Sequence, residues 1–278
     1  LFYKFDFFQK ICYNFYIKII GDKIMKLFCF GDVHGDEIAM LEGLKRAGYD
    51  NNNSNHQIIS LGDNFGRAST GRGSRGVYNY LTSDKHANAP ICIRGNHESI
   101  LMDVFRRGYL TQTDIYNGEA STISSFAHCS KSQAIFDVEY ARIASKSGVE
   151  EWIMGLPWFY ETKNYIFVHG FLPHPEKYWG EWNKYCDEDW HNASWTNTLE
   201  EIQWFEKVYP KGWDKHIVVG HWTAADFYSY FDRKYDNYGK VYTNPKLKFT
   251  CCDCTTAYSH NVDVFVIEDE PIGEEDHE

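Results

Sequence analysis

Positive charge is what this chain has least of. Its 278 residues carry 28 Lys and Arg against 39 Asp and Glu, a formal net charge of −11, and no Arg occurs from 143 to 232. Nucleic-acid backbones are held by clustered Lys and Arg, so this balance argues against nucleic acid as the main partner. Eight Cys, at 12, 29, 92, 129, 186, 251, 252 and 254, follow no regular framework, and several fall in buried-looking strands. Such usage belongs to reduced thiols, and no disulfide is expected. The CCDC run at 251–254 lacks the second Cys pair that zinc spacing needs, and Phe249 and Thr250 before it read as a strand. Repeats and low-complexity tracts are absent apart from Asn51-Asn52-Asn53, which reads as a loop.

The first 24 residues lack what insertion or export requires. Their apolar residues are interrupted by Lys4, Asp6, Lys10, Asn14 and Lys18, so no run of about 18 apolar residues forms. An apolar h-region with a small-residue cleavage site is missing too, and a cytoplasmic protein with no membrane partner is expected. The segment begins without Met and ends just before Met25, where the first strand of the fold starts within two residues. Gly21-Asp22-Lys23-Ile24 can be encoded by bases that look like a ribosome-binding site ahead of an ATG. Residues 1–24 are therefore read as translated leader from a start placed too early, with an amphipathic surface helix as the alternative. Residues 25–268 form one large domain, for which 43% hydrophobic and 17% aromatic content is ample. The acidic end, 269–278, reads as a solvated tail.

What is present is a series of short apolar runs that each end in a candidate ligand. KLFCF leads to Gly31-Asp32-Val33-His34-Gly35, QIISL to Gly62-Asp63-Asn64-Phe65-Gly66-Arg67, and ICIR to Gly95-Asn96-His97-Glu98. YIFV precedes His169-Gly170, and HIVV precedes Gly220-His221. A strand ending in Gly and a polar residue turns sharply and aims the side chain out of the sheet edge. Two divalent cations about 3.5 to 4 Å apart need a bridging carboxylate with oxygen and imidazole ligands around it, and these are the residue types here. Mn²⁺ or Fe/Zn suits such a mixed set better than Mg²⁺, which prefers all-oxygen octahedra.

This ordered set resembles the calcineurin-like metallophosphoesterase superfamily, and more closely its serine/threonine phosphoprotein phosphatase branch with small bacterial and bacteriophage members, over residues 25–268. The resemblance implies an α/β fold, a four-layer αββα sandwich of two mixed sheets flanked by helices. It implies that Asp32 and His34 hold the first metal, that Asp63 bridges, and that Asn96, His169 and His221 hold the second. It further implies His97 as the general acid that protonates the leaving oxygen, and Arg67 as a clamp on the phosphoryl oxygens together with Asn96. The expected reaction is phosphomonoester hydrolysis by direct attack of a dimetal-bridging hydroxide, with a phosphorylated protein or a small phosphoester as substrate. Thr223, where phosphodiesterase-type members carry a second His after Gly-His, favours the phosphatase branch.

Two departures from the family pattern bear on activity. GDxxDRG is replaced by a stretch with Gly66, so the carboxylate that orients the catalytic His is missing from its usual place; Glu98 and Asp36 are the expected substitutes. A Trp-x-Arg pattern is replaced by Trp195-Thr196-Asn197, which removes a second phosphate ligand; Arg72 and Arg75 are the nearest candidates to replace it, although their Gly-rich stretch at 70–76 reads more readily as a solvated flexible loop. Two rival readings follow: a dinucleoside-tetraphosphatase or phosphodiesterase of the same superfamily, and a binding protein that kept the ligands but lost turnover, in which Asp at 66 would restore activity.

Residues 37–47, 75–83 and 98–107 have helix-like composition after the first three strands, a βαβαβ run that favours parallel pairing. Residues 132–154 read as one or two helices broken at Gly148. VYT at 241–243, KFTCC at 248–252 and VDVFVIE at 262–268 read as strands of a second sheet. Residues 171–213 hold six of the nine Trp and are read as an aromatic cap insertion, each Trp being more readily explained by packing; within it His174 follows Pro173 in a loop that could face substrate. The other histidines outside the strand-end motifs read as surface or satisfied interior groups. Protein expressed from its own gene is expected to have an intact mass starting at Met25. A mass that includes Leu1 to Ile24 overturns the leader reading.

Overall fold

The computed structural model describes residues 24–67, 70–173, 180–208 and 213–271. The expectations on residues 1–23, on His174 and Trp179 and on 272–278 fall outside that set. The first strands arise where the sequence places its apolar runs. Strands β1 (Met25–Phe30), β2 (His56–Ser60) and β3 (Ile91–Cys92) pair in parallel, in the order β3-β2-β1. They are joined by helices α1 (Glu37–Ala47) and α2 (Gly73–Leu81), and β3 leads into α3 (Asn96–Arg107). Asp36 caps α1 by accepting from Ala39 N at 3.0 Å, and Gly48 closes it in the left-handed conformation.

A run of short helices follows: α4 (Gln112–Asn117), α5 (Glu119–Ala127), α6 (Lys131–Phe136), α7 (Glu139–Ala144) and α8 (Glu150–Met154). Between α7 and α8 the chain bends at Gly148 (φ 91°), the break expected there. The second sheet is built on β4 (Phe159–Glu161), β5 (Tyr165–Val168) and β6 (His216–Val219), with helices α9 (Asp187–Ala193) and α10 (Thr198–Val208) inserted before β6 and α11 (Ala224–Asp232) after it. Strands β7 (Tyr242–Asn244) and β8 (Phe249–Cys251) complete it in the order β4-β5-β6-β8-β7, parallel in the centre and antiparallel at both ends.

Side-chain alternation along the strands defines the layers. Phe28, Phe30 and Ile58 pack against Met40, Leu44, Val77 and Leu81 of α1 and α2. Their neighbours Leu27, Cys29, Ile59 and Leu61 turn the other way and meet Phe167, Val218 and Cys252 of the second sheet. Beyond that sheet, Ile166, Val168, Ile217 and Val219 pack against Trp182, Trp190, Phe205 and Phe227. Strands covered on both faces carry continuous apolar runs rather than an alternation of apolar and polar residues, as these do. The expected four-layer αββα sandwich of two mixed sheets is the observed one.

One strand falls elsewhere than expected. β9 (Phe265–Asp269) does not extend the second sheet; it pairs antiparallel with β1 and closes the free edge of the first. Its residues serve both faces, Val266 toward the helices and Ile267 toward the second sheet, so either sheet could have used the same pattern. Asp269, placed in the tail on sequence grounds, is the buried last residue of this strand. Its carboxylate accepts from Thr162 Oγ1 at 2.6 Å, Asn164 N at 2.9 Å and Asn164 Nδ2 at 2.6 Å, which ties β9 to the β4–β5 turn of the other sheet. Asp269→Ala strands these buried donors and is expected to cost about 2–3 kcal/mol, read as a lowered denaturant midpoint at unchanged m-value. An unchanged midpoint would show that water replaces the carboxylate there.

Candidate active site

Loops at the C-terminal ends of β1, β2, β3, β5 and β6 bring the predicted residues together from both sheets. The ligand-capable atoms of His34, Asp63 and His97 lie within 4.8 Å of one another, and so do those of Asp63, His169 and His221. Asp63 belongs to both groups. Asn96 completes the second: its Oδ1 lies 2.8 Å from His169 Nε2 and 3.0 Å from His221 Nδ1. Asp32 enters neither group. Both of its carboxylate oxygens accept from the His221 backbone N–H, at 3.0 and 2.9 Å. That contact needs Gly220, because a Cβ there would sit 2.4 Å from Asp32 Oδ2.

The backbone is strained where the candidate ligands sit. Asp32, His34, Asp63 and His221 all have φ between 51° and 64°. Left-handed backbone at non-glycine residues costs on the order of 1–3 kcal/mol each and persists only where the surroundings enforce it. The enforcement is visible at Glu98. Its buried carboxylate accepts from Gly95 N, Asp63 N and Asn64 N, each at 2.9 Å, so one side chain caps α3 and fixes the turn after β2. Asp63 Oδ1 in turn accepts from His97 N at 2.9 Å, at the electropositive start of α3.

Whether these residues suit divalent cations is tested by where their lone pairs point. His169 Nδ1 lies 2.7 Å from the Leu61 carbonyl and His34 Nδ1 lies 3.1 Å from the Phe65 carbonyl. Each ring nitrogen must donate there, which leaves each Nε2 as a bare acceptor. Asn96 Oδ1 then faces two ring nitrogens with no donor between them, a contact of like atoms relieved only by turning the amide or by a cation. The donor set fits a pair of divalent ions.

Electrostatics agree. Burial lowers His169 and His221 to about 3, so both imidazoles are neutral near pH 7 and surrender no proton to a metal. Carboxyls move the opposite way: burial raises Asp32 well above the carboxylate range, with Asp253 and Asp63 adding to it, and raises Asp253 to about 6. Arg67 is exposed, and its charge acts on His34, Asp63, His97, Glu119, His221 and Asp253, which places it at the rim of this site.

The substitutes expected for the missing carboxylate and Arg are not the ones the structure uses. Glu98 is engaged by backbone N–H groups and Asp36 by the α1 cap and His260. The carboxyl beside the catalytic candidate belongs to Glu119, the first residue of α5, whose Oε1 lies 3.2 Å from His97 Nδ1. Gly66 (φ 116°) has no room for the usual Asp: a Cβ there would lie 2.8 Å from His97 Nδ1, so restoring Asp would crowd the imidazole instead of supporting it. Arg72 is bound to Glu37 through Nε at 3.0 Å and Nη2 at 2.6 Å. With Arg75, Asn79, Ser125 and His128 it lines a separate cavity of about 330 Å³ that includes none of the candidate ligands. Thr223, where a second His was lacking, caps α11 by accepting from Ala225 N.

In the aromatic insertion, Trp182 and Trp190 are core residues, and Trp204 and Trp213 pack against the same cluster. Trp195 is 45% exposed, and its backbone hydrogen-bonds to His221, so this residue is the one that borders the site. Cys251 Sγ donates to the Trp222 carbonyl and Cys254 Sγ to that of Asp263, and neither makes a soft-metal site. The seven described cysteines are free.

The chain belongs to the calcineurin-like phosphoesterase family, whose model matches residues 25–264. It is thus a metallophosphoesterase, a phosphoric ester hydrolase. No curated protein sequence matches it. Among solved structures it is similar to a putative diadenosine tetraphosphatase, with 12% identity, a TM-score of 0.51, and coverage of 88% of this chain and 94% of that one. It is also similar to a cold-active protein-tyrosine phosphatase of a psychrophilic Shewanella species, with 13% identity, a TM-score of 0.53, and coverage of 88% and 75%. At these identities the likeness is one of fold. Among the described residues no helix is long and apolar enough to cross a membrane.

The raised carboxyls give metal binding a defined pH dependence. In the metal-free fold they keep protons that the unfolded chain, with Asp near 3.9, has already released, so stability falls as pH rises through the folded values. The two imidazoles contribute the opposite slope, stability lost as pH falls, but only between about 6.5 and about 3. In the native fold both imidazoles are already neutral above about pH 3, so a cation has only carboxyl protons to displace, with Asp253 losing its own at about 6. Mn²⁺ added to chelator-stripped protein is expected to raise the thermal midpoint more at about pH 7 than at about pH 5. Equal increments would show these carboxyls already ionised.

Proposed function

We propose that this metallophosphoesterase hydrolyses phosphate monoesters in the manner of a serine/threonine protein phosphatase, with two Mn²⁺ ions as cofactors. The observation that carries the reading is the sharing of Asp63 by two groups of candidate ligands. His34, Asp63 and Asp32 would hold one ion and Asp63, Asn96, His169 and His221 the other. Bound there, the ions would supply Lewis-acid charge for the phosphoryl group and acidify a coordinated water. Asp32 would add its carboxylate from the turn after β1, where in this structure both of its oxygens accept from the His221 backbone N–H.

The chain's own groups provide the rest. Arg67 at the rim and the Asn96 amide orient the phosphoryl oxygens for in-line attack of water. His97, 2% exposed, presents Nε2 at 3.8 Å from Asp63 Oδ2 and passes its proton to the leaving oxygen. Because His97 is engaged from behind by Glu119, the reading as a binding protein without turnover loses one of its two supports, the bare position 66, and keeps the other, the missing Arg beside Trp195. The dinucleoside-tetraphosphatase reading keeps one: the similar putative diadenosine tetraphosphatase is matched over 94% of its own length.

With Mn²⁺ restored, the protein is expected to turn over p-nitrophenyl phosphate. Asp63→Asn is expected to abolish this turnover and His97→Ala to reduce kcat by about 10²- to 10⁴-fold on a poor leaving group. Equal rates for all three proteins would sink the mechanism. The monoester is expected to be preferred over its bis-ester and over diadenosine tetraphosphate; preference for the tetraphosphate would select the second reading.

A further inference from the structure

Glu119 is a fully buried acid, and among the described residues no Lys or Arg is paired with it. Oε1 meets His97 Nδ1 at 3.2 Å, the Thr122 side chain supports the same carboxyl, and Oε2 is left without a hydrogen bond among the described residues. Burying a carboxyl with part of its capacity unused costs stability, so folding alone does not account for an acid at this position. Its placement is built into the local chain. Gly118, ahead of it, is pressed against Arg67, where a Cβ would come within 2.7 Å of the Arg67 backbone, so the start of α5 abuts the loop after β2. Thr122, one turn further on, accepts from Gly66 N at 3.0 Å and locks the same junction. A side chain at 66 would press on His97 Nδ1, the atom that meets Glu119.

We propose that Glu119 is the positioning residue for His97, supplying from a different helix the carboxyl that position 66 does not provide. This rests on the reading of His97 as general acid. The hydrogen bond fixes the imidazole so that Nε2 faces Asp63 and the substrate. When the pair holds two protons, one lies between Nδ1 and Oε1 and the other is on Nε2, whichever partner carries the charge. In the reaction the water oxygen bonds to phosphorus, the bond from phosphorus to the leaving oxygen breaks, and the Nε2 proton passes to that oxygen. The proton shed by the water restores the acid.

Phenyl phosphate, whose leaving group needs protonation, is compared with p-nitrophenyl phosphate, whose leaving group needs it little. Glu119→Ala and Glu119→Gln are expected to lower kcat on phenyl phosphate by about 10- to 10²-fold, with a much smaller loss on p-nitrophenyl phosphate and little change in KM. The His97→Ala/Glu119→Ala double variant is expected to be no slower than His97→Ala, as for groups acting as one unit. In histidine-labelled, metal-free protein, the ¹⁵N signals of His97 are expected to show a hydrogen-bonded Nδ1–H that Glu119→Ala removes. Glu119→Gln keeps the volume and carries the test if the alanine variant does not fold. Wild-type rates on phenyl phosphate in both Glu119 variants, with His97→Ala still impaired, would overturn the role of Glu119 alone. An unimpaired His97→Ala would overturn the general-acid reading beneath it.

Discussion

The carboxylate of Asp63 is the constraint around which this protein is organised. It sits at the end of β2 with a left-handed backbone, accepts the first free N–H of the α3 helix at His97, and belongs to both ligand groups at once. None of those positions is available to it without Glu98, whose carboxylate gathers the N–H groups of residues 63, 64 and 95 into one node. Two strands and a helix start are thus fixed by a single buried acid. Such a node is favourable because charge-assisted hydrogen bonds contribute roughly 1.5–3 kcal/mol each, which offsets strain of similar size at the neighbouring backbone.

The acids themselves set up the need for cations. Asp32, Asp63, Glu98, Glu119 and Asp253 are all buried around one site, and Arg67, the cation whose charge reaches most of them, lies exposed at its edge. In a medium of low polarity such a group of carboxylates cannot all be ionised together, which is why burial and mutual repulsion raise Asp32 so far. Divalent ions remove the conflict that protons only postpone. The chain's shortage of positive charge therefore has a counterpart in its chemistry: beside Arg67, divalent ions from solution would supply the field that attracts a phosphoryl group.

The strands of the fold and the candidate ligands at their ends were legible because both are written in short-range patterns. Apolar runs ending in Gly and a polar residue located β1, β2, β3, β5 and β6, and the αββα layering came from the family resemblance that those motifs carry. What could not be read were relations between segments with no fixed spacing. Val262–Glu268 was legible as a strand, but its partner was decided by which sheet had an open edge, and that edge belonged to β1. Gly118-Glu119 lies between 108 and 131, a stretch in which no motif or element is read from the sequence. Nothing in its spacing announces that α5 would deliver this acid to an imidazole 22 residues earlier in the chain. The partner of Arg72 was hidden for the mirror reason, since Glu37 lies 35 residues away in α1.

Position 66 shows how a motif can lose a residue while the site keeps its chemistry. An imidazole needs an acceptor at Nδ1 at hydrogen-bond distance, and it is indifferent to which element supplies it. An Asp on the β2 loop and a Glu on a facing helix differ in reach by one methylene, so the longer side chain can approach from farther away if the loop leaves a gap. Gly66 is that gap: the loop takes a φ of 116°, gives up its Cβ, and lets α5 dock against residues 66 and 67. The two features are then linked by geometry. A bare position 66 spares the imidazole the contact a Cβ would make with Nδ1, and that nitrogen keeps an acceptor because α5 begins where it does.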